Sequence, residues 1–246
     1  GLTLTAGGGD VSVSGAIGSG TALNSLSITG STINIANIGG GAAGVTNAVS
    51  VNGTTAVNLT GTTYNANVQD YTGPSGYNIN LNGGAATTFS SSDDDISFNT
   101  SGIKLGNGSD LSITAAGGAV SIAGGIDGTS DEDVSISSTG GTTNTISVGT
   151  IGTATANGIN TVSLTATASV TLNGDISTSD TAGNDVTVTG PAVLAAGVTI
   201  DTDNTTVDGD ISFSSTLDGA QGLTLTAGGG DVSVSGAIGS GTALNS

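Results

Sequence analysis

Short alternations of an apolar residue with serine or threonine recur along the chain, and their spacing constrains the fold more than any other feature. In the second half of the chain the spacing is nearly constant, with successive alternations that begin at Leu111, Ile136, Val162, Val186 and Ile211. A period of two residues is typical of a β-strand that buries one face. Clusters of Gly, Asn and Asp lie between the alternations and are typical of turns.

Two or three short strands in each period predict an all-β fold, a parallel β-solenoid with about 24–26 residues per coil. One coil cannot bury its own apolar residues, whereas stacked coils pair each strand with the next coil and bury like residues in ladders. A row of immunoglobulin-like sandwiches would also show short strands, but such domains usually bury a large aromatic residue. Trp is absent here, and three Phe and three Tyr are the only aromatic residues, which favours the narrow aliphatic core of a solenoid.

The opening segment of the chain returns without a change at its end. Residues 1–25 are identical to residues 222–246. A fold constrains residue class and leaves the choice between Ser and Thr, or Val and Ile, open, so identity over this length indicates a tandem duplication. We interpret residues 1–246 as one continuous solenoid segment, with residues 1–221 as one unit and residues 222–246 as the start of the next. At about 4.8 Å per coil, nine coils predict a displacement of about 43 Å along one axis between the two copies.

One segment, residues 52–92, loses the regular spacing. It contains all three tyrosines, Tyr64, Tyr71 and Tyr77. We expect an irregular insertion on the flank of the solenoid, and the tyrosines are candidate ligand or interaction residues because exposed Tyr is enriched at interfaces.

The run from Leu217 to Ser246, continued after the duplicate by Leu26-Ser-Ile-Thr, resembles the repeat regions of very large filamentous-haemagglutinin-like surface proteins of bacteria, which are adhesins of the two-partner-secretion type. The resemblance implies a right-handed parallel β-helix. It also implies export through a dedicated outer-membrane pore, and a role as an adhesin or an extended surface fibre.

The charge and composition of the chain exclude several classes of function. The formal net charge is −18, with 19 acidic residues, Lys104 as the single base, and no His or Cys. Such a chain repels phosphate backbones and anionic headgroups, so we expect no nucleic-acid partner. No apolar run approaches the ~20 residues needed to cross a bilayer, so we expect no membrane insertion. Enzyme sites on β-helices need basic partners beside their carboxylates, so we expect no catalysis. Lys104 lies between Ile103 and Leu105, which predicts that it points outward.

Clustered carboxylates leave calcium as a candidate cofactor, because calcium prefers hard oxygen ligands. Asp93, Asp94 and Asp95 form one cluster, and Asp201 and Asp203 form another. The competing interpretation is that these residues are solvated acidic turns that keep a fibre soluble. No complete calcium motif is present, so a bound cofactor is not expected and calcium stays an alternative.

These observations predict a structural segment of a long extracellular bacterial fibre or adhesin stalk. The expected partners are neighbouring repeats of the same chain, with lateral copies of the fibre and a glycan or protein of a host or cell surface as further candidates. The alternative is a calcium- or glycan-binding adhesive module that uses the tyrosine-bearing segment as its site.

Overall fold

The computed structural model describes residues 1–40, 44–153, 158–179, 181 and 183–245. These residues form a parallel β-solenoid of about nine turns without a helix, which confirms the predicted fold class. The strands of the first half are β1 (Leu2–Thr5), β2 (Val11–Val13), β3 (Leu26–Ile35), β4 (Val45–Leu59), β5 (Thr63–Leu81), β6 (Thr87–Ser91), β7 (Ile96–Leu105), β8 (Leu111–Ala115), β9 (Val120–Ile122), β10 (Ile126–Asp127) and β11 (Glu132–Ser138). The strands of the second half are β12 (Thr145–Val148), β13 (Ile159–Ala166), β14 (Ser169–Leu172), β15 (Ile176–Ser177), β16 (Val186–Thr189), β17 (Ala192–Leu194), β18 (Val198–Asp201), β19 (Ile211–Phe213), β20 (Leu217–Asp218), β21 (Leu223–Thr226) and β22 (Val232–Val234).

Each coil contributes to three parallel ladders, which we call faces 1, 2 and 3. Face 1 contains in succession Leu2, Leu26, Val49, Gln69, Ile96, Val120, Ile146, Val170, Ala192, Leu217 and Ile238. Face 2 contains Val11, Ile33, Val57, Ile79, Ile103, Ile126, Ile151, Ile176, Ile200 and Leu225. Face 3 contains Ile17, Ile38, Tyr64, Phe89, Ile113, Ile136, Leu164, Val188, Phe213 and Val234.

The core lies on the axis between the three faces. Ile113 and Val188 are almost completely buried, and the serine and threonine residues beside them are more exposed. This arrangement confirms the predicted inward orientation of the apolar alternation residues in the middle of the stack. Leu2 keeps 36% of its surface exposed because it belongs to the first coil, which has a neighbour on one side. Val11 and Ile17 of the same coil are only 9% and 6% exposed, so one neighbouring coil is enough to bury part of its apolar side.

Residues 52–92 are part of the stack, so the expectation of an irregular insertion is wrong. The strands β4, β5 and β6 cover most of this segment and pair in parallel with the coils on both sides. The physical reason for the lost spacing is a change in coil length. Gln69 pairs with Val49 of the preceding coil and with Ile96 of the following coil, and the first of these two steps is the shorter. A short coil is thus followed by a long one, and the ladders continue through both.

The duplicated segment adopts the same local structure twice, on different faces. In the first copy β1 lies on face 1 and β2 on face 2. In the second copy the equivalent strands β21 and β22 lie on faces 2 and 3. Face 2 takes nine steps from Val11 to Leu225, so the unit spans nine turns plus one face. The predicted displacement along the axis is therefore accompanied by a rotation by one face, which sequence reasoning did not predict.

Candidate functional site

Aspartate side chains connect successive coils at several points along the stack. Nine of the described aspartates accept a hydrogen bond from a backbone N–H of the following coil, with N to O distances of 2.7–3.1 Å. We call them the cross-coil carboxylates. They are Asp10, Asp95, Asp110, Asp133, Asp175, Asp185, Asp208, Asp210 and Asp218.

Most cross-coil carboxylates stand immediately before an inward-pointing residue. Asp110 precedes Leu111, for example, and its Oδ1 accepts the N–H of Asp133, 2.9 Å away. Asp133 precedes Val134, which lies in register with Leu111. The donor and acceptor residues thus occupy equivalent corners of successive coils. A backbone N–H at a corner needs a hydrogen-bond partner, and the carboxylate provides one before the regular ladder begins.

On face 3 these contacts form consecutive steps. The N–H of Asp210 donates to Asp185, and the N–H of Asp231 donates to Asp210, each over 2.8 Å. An ionised carboxylate that accepts an N–H makes a stronger hydrogen bond than a neutral acceptor does. The acidic composition of the chain therefore has a structural use, because each such contact joins one coil to the next.

Sequence reasoning missed this role, although a pattern for it exists. An Asp directly followed by Val, Ile or Leu recurs at intervals of about one or two coils, as in Asp110-Leu111, Asp133-Val134, Asp185-Val186, Asp210-Ile211 and Asp231-Val232. The pattern places the acid at the corner before each strand. Its meaning depends on a backbone donor in the next coil, which is distant in the sequence.

The first calcium candidates, Asp93, Asp94 and Asp95, lie on an exposed turn before β7. Asp95 Oδ1 accepts the N–H of Ala119 at 2.7 Å, so this residue is one of the cross-coil carboxylates. Asp94 Oδ1 lies 3.3 Å from the N–H of Asp95. These bonds direct two of the three carboxylates to backbone donors.

The second calcium candidates border an open cleft of about 370 Å³, which also contacts Thr178 and Asn204. Asp201 Oδ1 accepts the N–H of Asp203 at 3.1 Å. Among the described residues, no three acidic side chains come close enough together to hold a metal ion. In the described part of the chain, the structure thus does not bring either cluster together as a calcium cage, and calcium binding stays an alternative.

Two of the three tyrosines are core residues. Tyr64 and Tyr71 are completely buried, so the expectation that they form an exposed binding surface is wrong. Both rings point inward because the in–out alternation of β5 shifts by one residue between Ala66 and Gln69. Tyr64 stacks on Phe89 with ring centroids 4.9 Å apart, and Tyr71 stacks on Phe98 at 5.2 Å. Tyr77 is partly exposed and is the one tyrosine that a ligand could contact.

Burial also controls the ionisation of the tyrosines. The pKa of Tyr64 and that of Tyr71 are raised well above the ordinary value, mainly because burial disfavours the charged phenolate. The pKa of Tyr77 is raised by partial burial and by the negative charge of Asp127. The buried hydroxyl groups still have partners, since Tyr64 Oη accepts the N–H of Gly61 at 3.0 Å.

Gln69 is a buried polar residue that the sequence did not single out. It takes an inward position on face 1, between Val49 and Ile96. Its Nε2 donates to the carbonyls of Tyr64 and Ser90, and its Oε1 accepts the hydroxyl of Tyr71 at 2.9 Å. A buried amide is tolerated only when such bonds are made. Gln69 therefore fixes the aromatic residues in the core.

The outer side of face 2 carries a ladder of polar residues. Asn58 Nδ2 donates to Asn34 Oδ1 at 2.8 Å, and Asn80 Nδ2 donates to Asn58 Oδ1 at 2.9 Å. Lys104 occupies the next position and forms an ion pair with Asp127 of the following coil. The side chain of Lys104 is 32% exposed. The predicted outward orientation of Lys104 is confirmed, and the single base also joins two coils.

Comparisons with known proteins gave no matching family model, curated protein or solved structure. Within the described ranges, no helix could span a membrane.

Proposed function

We propose that this chain is a segment of a long extracellular fibre or adhesin stalk of a bacterial surface, built from tandem solenoid units that are each equivalent to residues 1–221. Its function is mechanical rather than catalytic. The observation that supports the proposal is the duplicated segment, which has the same strands at both ends of one parallel stack. A tandem unit of this kind can extend a fibre without a linker.

The direction of the hydrogen bonds supports a load-bearing role. The strands pair along the solenoid axis, so the ladder hydrogen bonds run between coils and oppose extension. The cross-coil carboxylates, the asparagine ladder and the Lys104–Asp127 ion pair act in the same direction. Side chains therefore reinforce the same coil-to-coil contacts that the backbone makes.

The adhesive alternative receives less support. Glycan sites usually present aromatic side chains to solvent, whereas Tyr64 and Tyr71 are buried. The duplicated segment supports neighbouring units of the same chain as the partners. Lateral copies, and a glycan or protein on another cell, stay proposals.

Immunoelectron microscopy of intact cells of the organism that encodes the chain tests the proposal. Antibodies against the folded 246-residue chain should label extended material outside the cell envelope. An antiserum against the chain unfolded in denaturant is the matched control and should label the native surface weakly. Labelling that requires cell lysis would contradict the extracellular role.

A length measurement tests the fibre geometry. A unit of nine turns and one face, at about 4.8 Å per coil, should add about 45 Å to a rod of constant diameter. Small-angle scattering of chains with one, two and three units should therefore give a maximum dimension that rises linearly. A rise that falls short of linearity would indicate separate domains on flexible joints.

A further inference from the structure

The last described coil exposes apolar residues that are buried in its identical copy. Val232 is 48% exposed and Ile238 is 57% exposed. The equivalent residues of the first copy, Val11 and Ile17, are 9% and 6% exposed. The sequence and the strand bounds of the two copies match, so the difference arises from the coil of residues 26–50, which covers the first copy.

The first copy shows which coil covers this surface. Leu2, Val11 and Ile17 pair with Leu26, Ile33 and Ile38 of the following coil. The matching backbone donors are the N–H groups of Ala6, Ile17 and Leu23, which donate to the carbonyls of Thr29, Asn37 and Gly44 over 2.9–3.0 Å. Asp10 adds a bond, since its Oδ1 accepts the N–H of Thr32 at 2.9 Å.

The second copy presents the same set of groups toward the open end of the stack. The residues equivalent to these donors are Ala227, Ile238 and Leu244, and Asp231 is equivalent to Asp10. The turns of the two copies also agree, with φ of 61° at Gly7 and 55° at Gly228, and 67° at both Gly18 and Gly239. The second copy is therefore preorganised to receive the coil that covers the first.

From these contacts we infer that the open surface of residues 222–245 docks a coil with the sequence of residues 26–50, supplied by the following unit. This inference rests on the tandem arrangement proposed above. The register is that of the first copy, so Val232 pairs with the equivalent of Ile33 and Ile238 with the equivalent of Ile38. Asp231 accepts the N–H of the equivalent of Thr32.

The docked coil is rotated by one face relative to residues 26–50. The pairs that lie on faces 1, 2 and 3 in the first copy lie on faces 2, 3 and 1 at the junction, because β21 is on face 2 and Ile238 is on face 1. Each junction in the array repeats this rotation. Three units are needed to return a given side chain to its original face.

A two-unit chain tests the inference. Residues 26–246 are fused directly after residue 246, and the same chain fused to an unrelated folded domain is the control. Hydrogen exchange at the amides of Ala227, Ile238 and Leu244 should slow by about tenfold or more in the two-unit chain, as each gains a cross-coil acceptor. The control fusion should leave these rates unchanged. Equal rates in the two fusions would overturn the inference.

A substitution in two contexts gives a second readout. Ile238→Asp should leave the melting temperature of the 246-residue chain almost unchanged, whereas Ile17→Asp should lower it clearly. In the two-unit chain Ile238→Asp should lower the melting temperature as Ile17→Asp does, because both side chains are then buried. If Ile238→Asp has no effect there, or if the two-unit chain does not fold, the docking inference is wrong. Surface labelling on cells could still support the fibre function in that case.

Discussion

Removal of the carboxylate of Asp133 should weaken the contact between two coils at one defined point. Its Oδ1 accepts three hydrogen bonds, from the N–H and Oγ1 of Thr161 at 3.1 and 2.7 Å and from Asn160 Nδ2 at 3.2 Å. A hydrogen bond to a charged group contributes about 1.5–3 kcal/mol, and partial exposure reduces this contribution. We expect Asp133→Ala to lower the free energy of unfolding by about 2 kcal/mol.

Two variants separate the hydrogen-bond role from the charge. Asp133→Asn keeps an acceptor oxygen and removes a negative charge from a chain of net charge −18, so it should cost less than about 1 kcal/mol. Asp93→Ala is the matched surface control, because Asp93 is exposed and does not belong to the cross-coil carboxylates. Its effect should stay within about 0.5 kcal/mol.

Urea denaturation followed by far-ultraviolet circular dichroism measures these differences, with the slope against urea compared among variants. Hydrogen exchange at Thr161 provides a local measurement, since its N–H loses an acceptor in Asp133→Ala and keeps one in Asp133→Asn. If Asp133→Ala and Asp93→Ala have the same stability and the same exchange at Thr161, the carboxylates do not join the coils energetically.

Three further predictions concern alkaline pH, proteolysis and divalent cations. Between pH 10 and the raised pKa of Tyr64 and Tyr71, the unfolded chain loses protons that the folded chain keeps. The free energy of unfolding should therefore fall by up to about 1.4 kcal/mol per pH unit for each tyrosine. The melting temperature of Tyr64→Phe should fall less steeply with pH than that of the unchanged chain, and an identical fall would contradict the burial. Trypsin should leave the folded chain intact, because β7, which contains Lys104, pairs with a strand on each side. Trypsin should cut the unfolded chain once, after Lys104, and should never cut the Lys104→Gln control. Rapid cleavage without denaturant would argue against a closed ladder. Calcium and magnesium should bind comparably and in a salt-dependent way, as expected for a diffuse negative field around the chain. A built calcium site would instead bind calcium stoichiometrically and without sensitivity to sodium chloride, and Asp201→Asn or Asp203→Asn would abolish the binding.

The fold could be predicted because it follows from a local pattern repeated many times. Apolar residues at alternate positions must point to one side, and only stacking can bury the narrow apolar side of so short a strand. Coil length is not fixed by that pattern, which explains the failure at residues 52–92. A shortened coil keeps its ladders, as Gln69 does between Val49 and Ile96, but it disturbs the period on which sequence reasoning depends.

The role of the acidic residues could not be obtained from side-chain chemistry alone. Clusters such as Asp93 to Asp95 suggest a metal because the sequence shows neighbouring carboxylates but does not show the backbone donors of the next coil. The burial of Tyr64 and Tyr71 could not be predicted for a related reason. The in–out alternation of a strand determines whether a tyrosine is a core residue or a surface residue. In β5 this alternation shifts by one residue between Tyr64 and Tyr71, and the shift cannot be located from the sequence spacing of residues 52–92.

The rotation of the duplicated segment by one face has a consequence for how such a fibre meets its surroundings. A flat surface or a parallel fibre that lies against one face of the stack would meet different side chains in each successive unit, and the same side chains again only at every third unit. Favourable lateral contacts would then be spaced by three unit lengths, too far apart to reinforce one another in a continuous zipper. A fibre with this symmetry would offer any given patch equally in three directions around its axis.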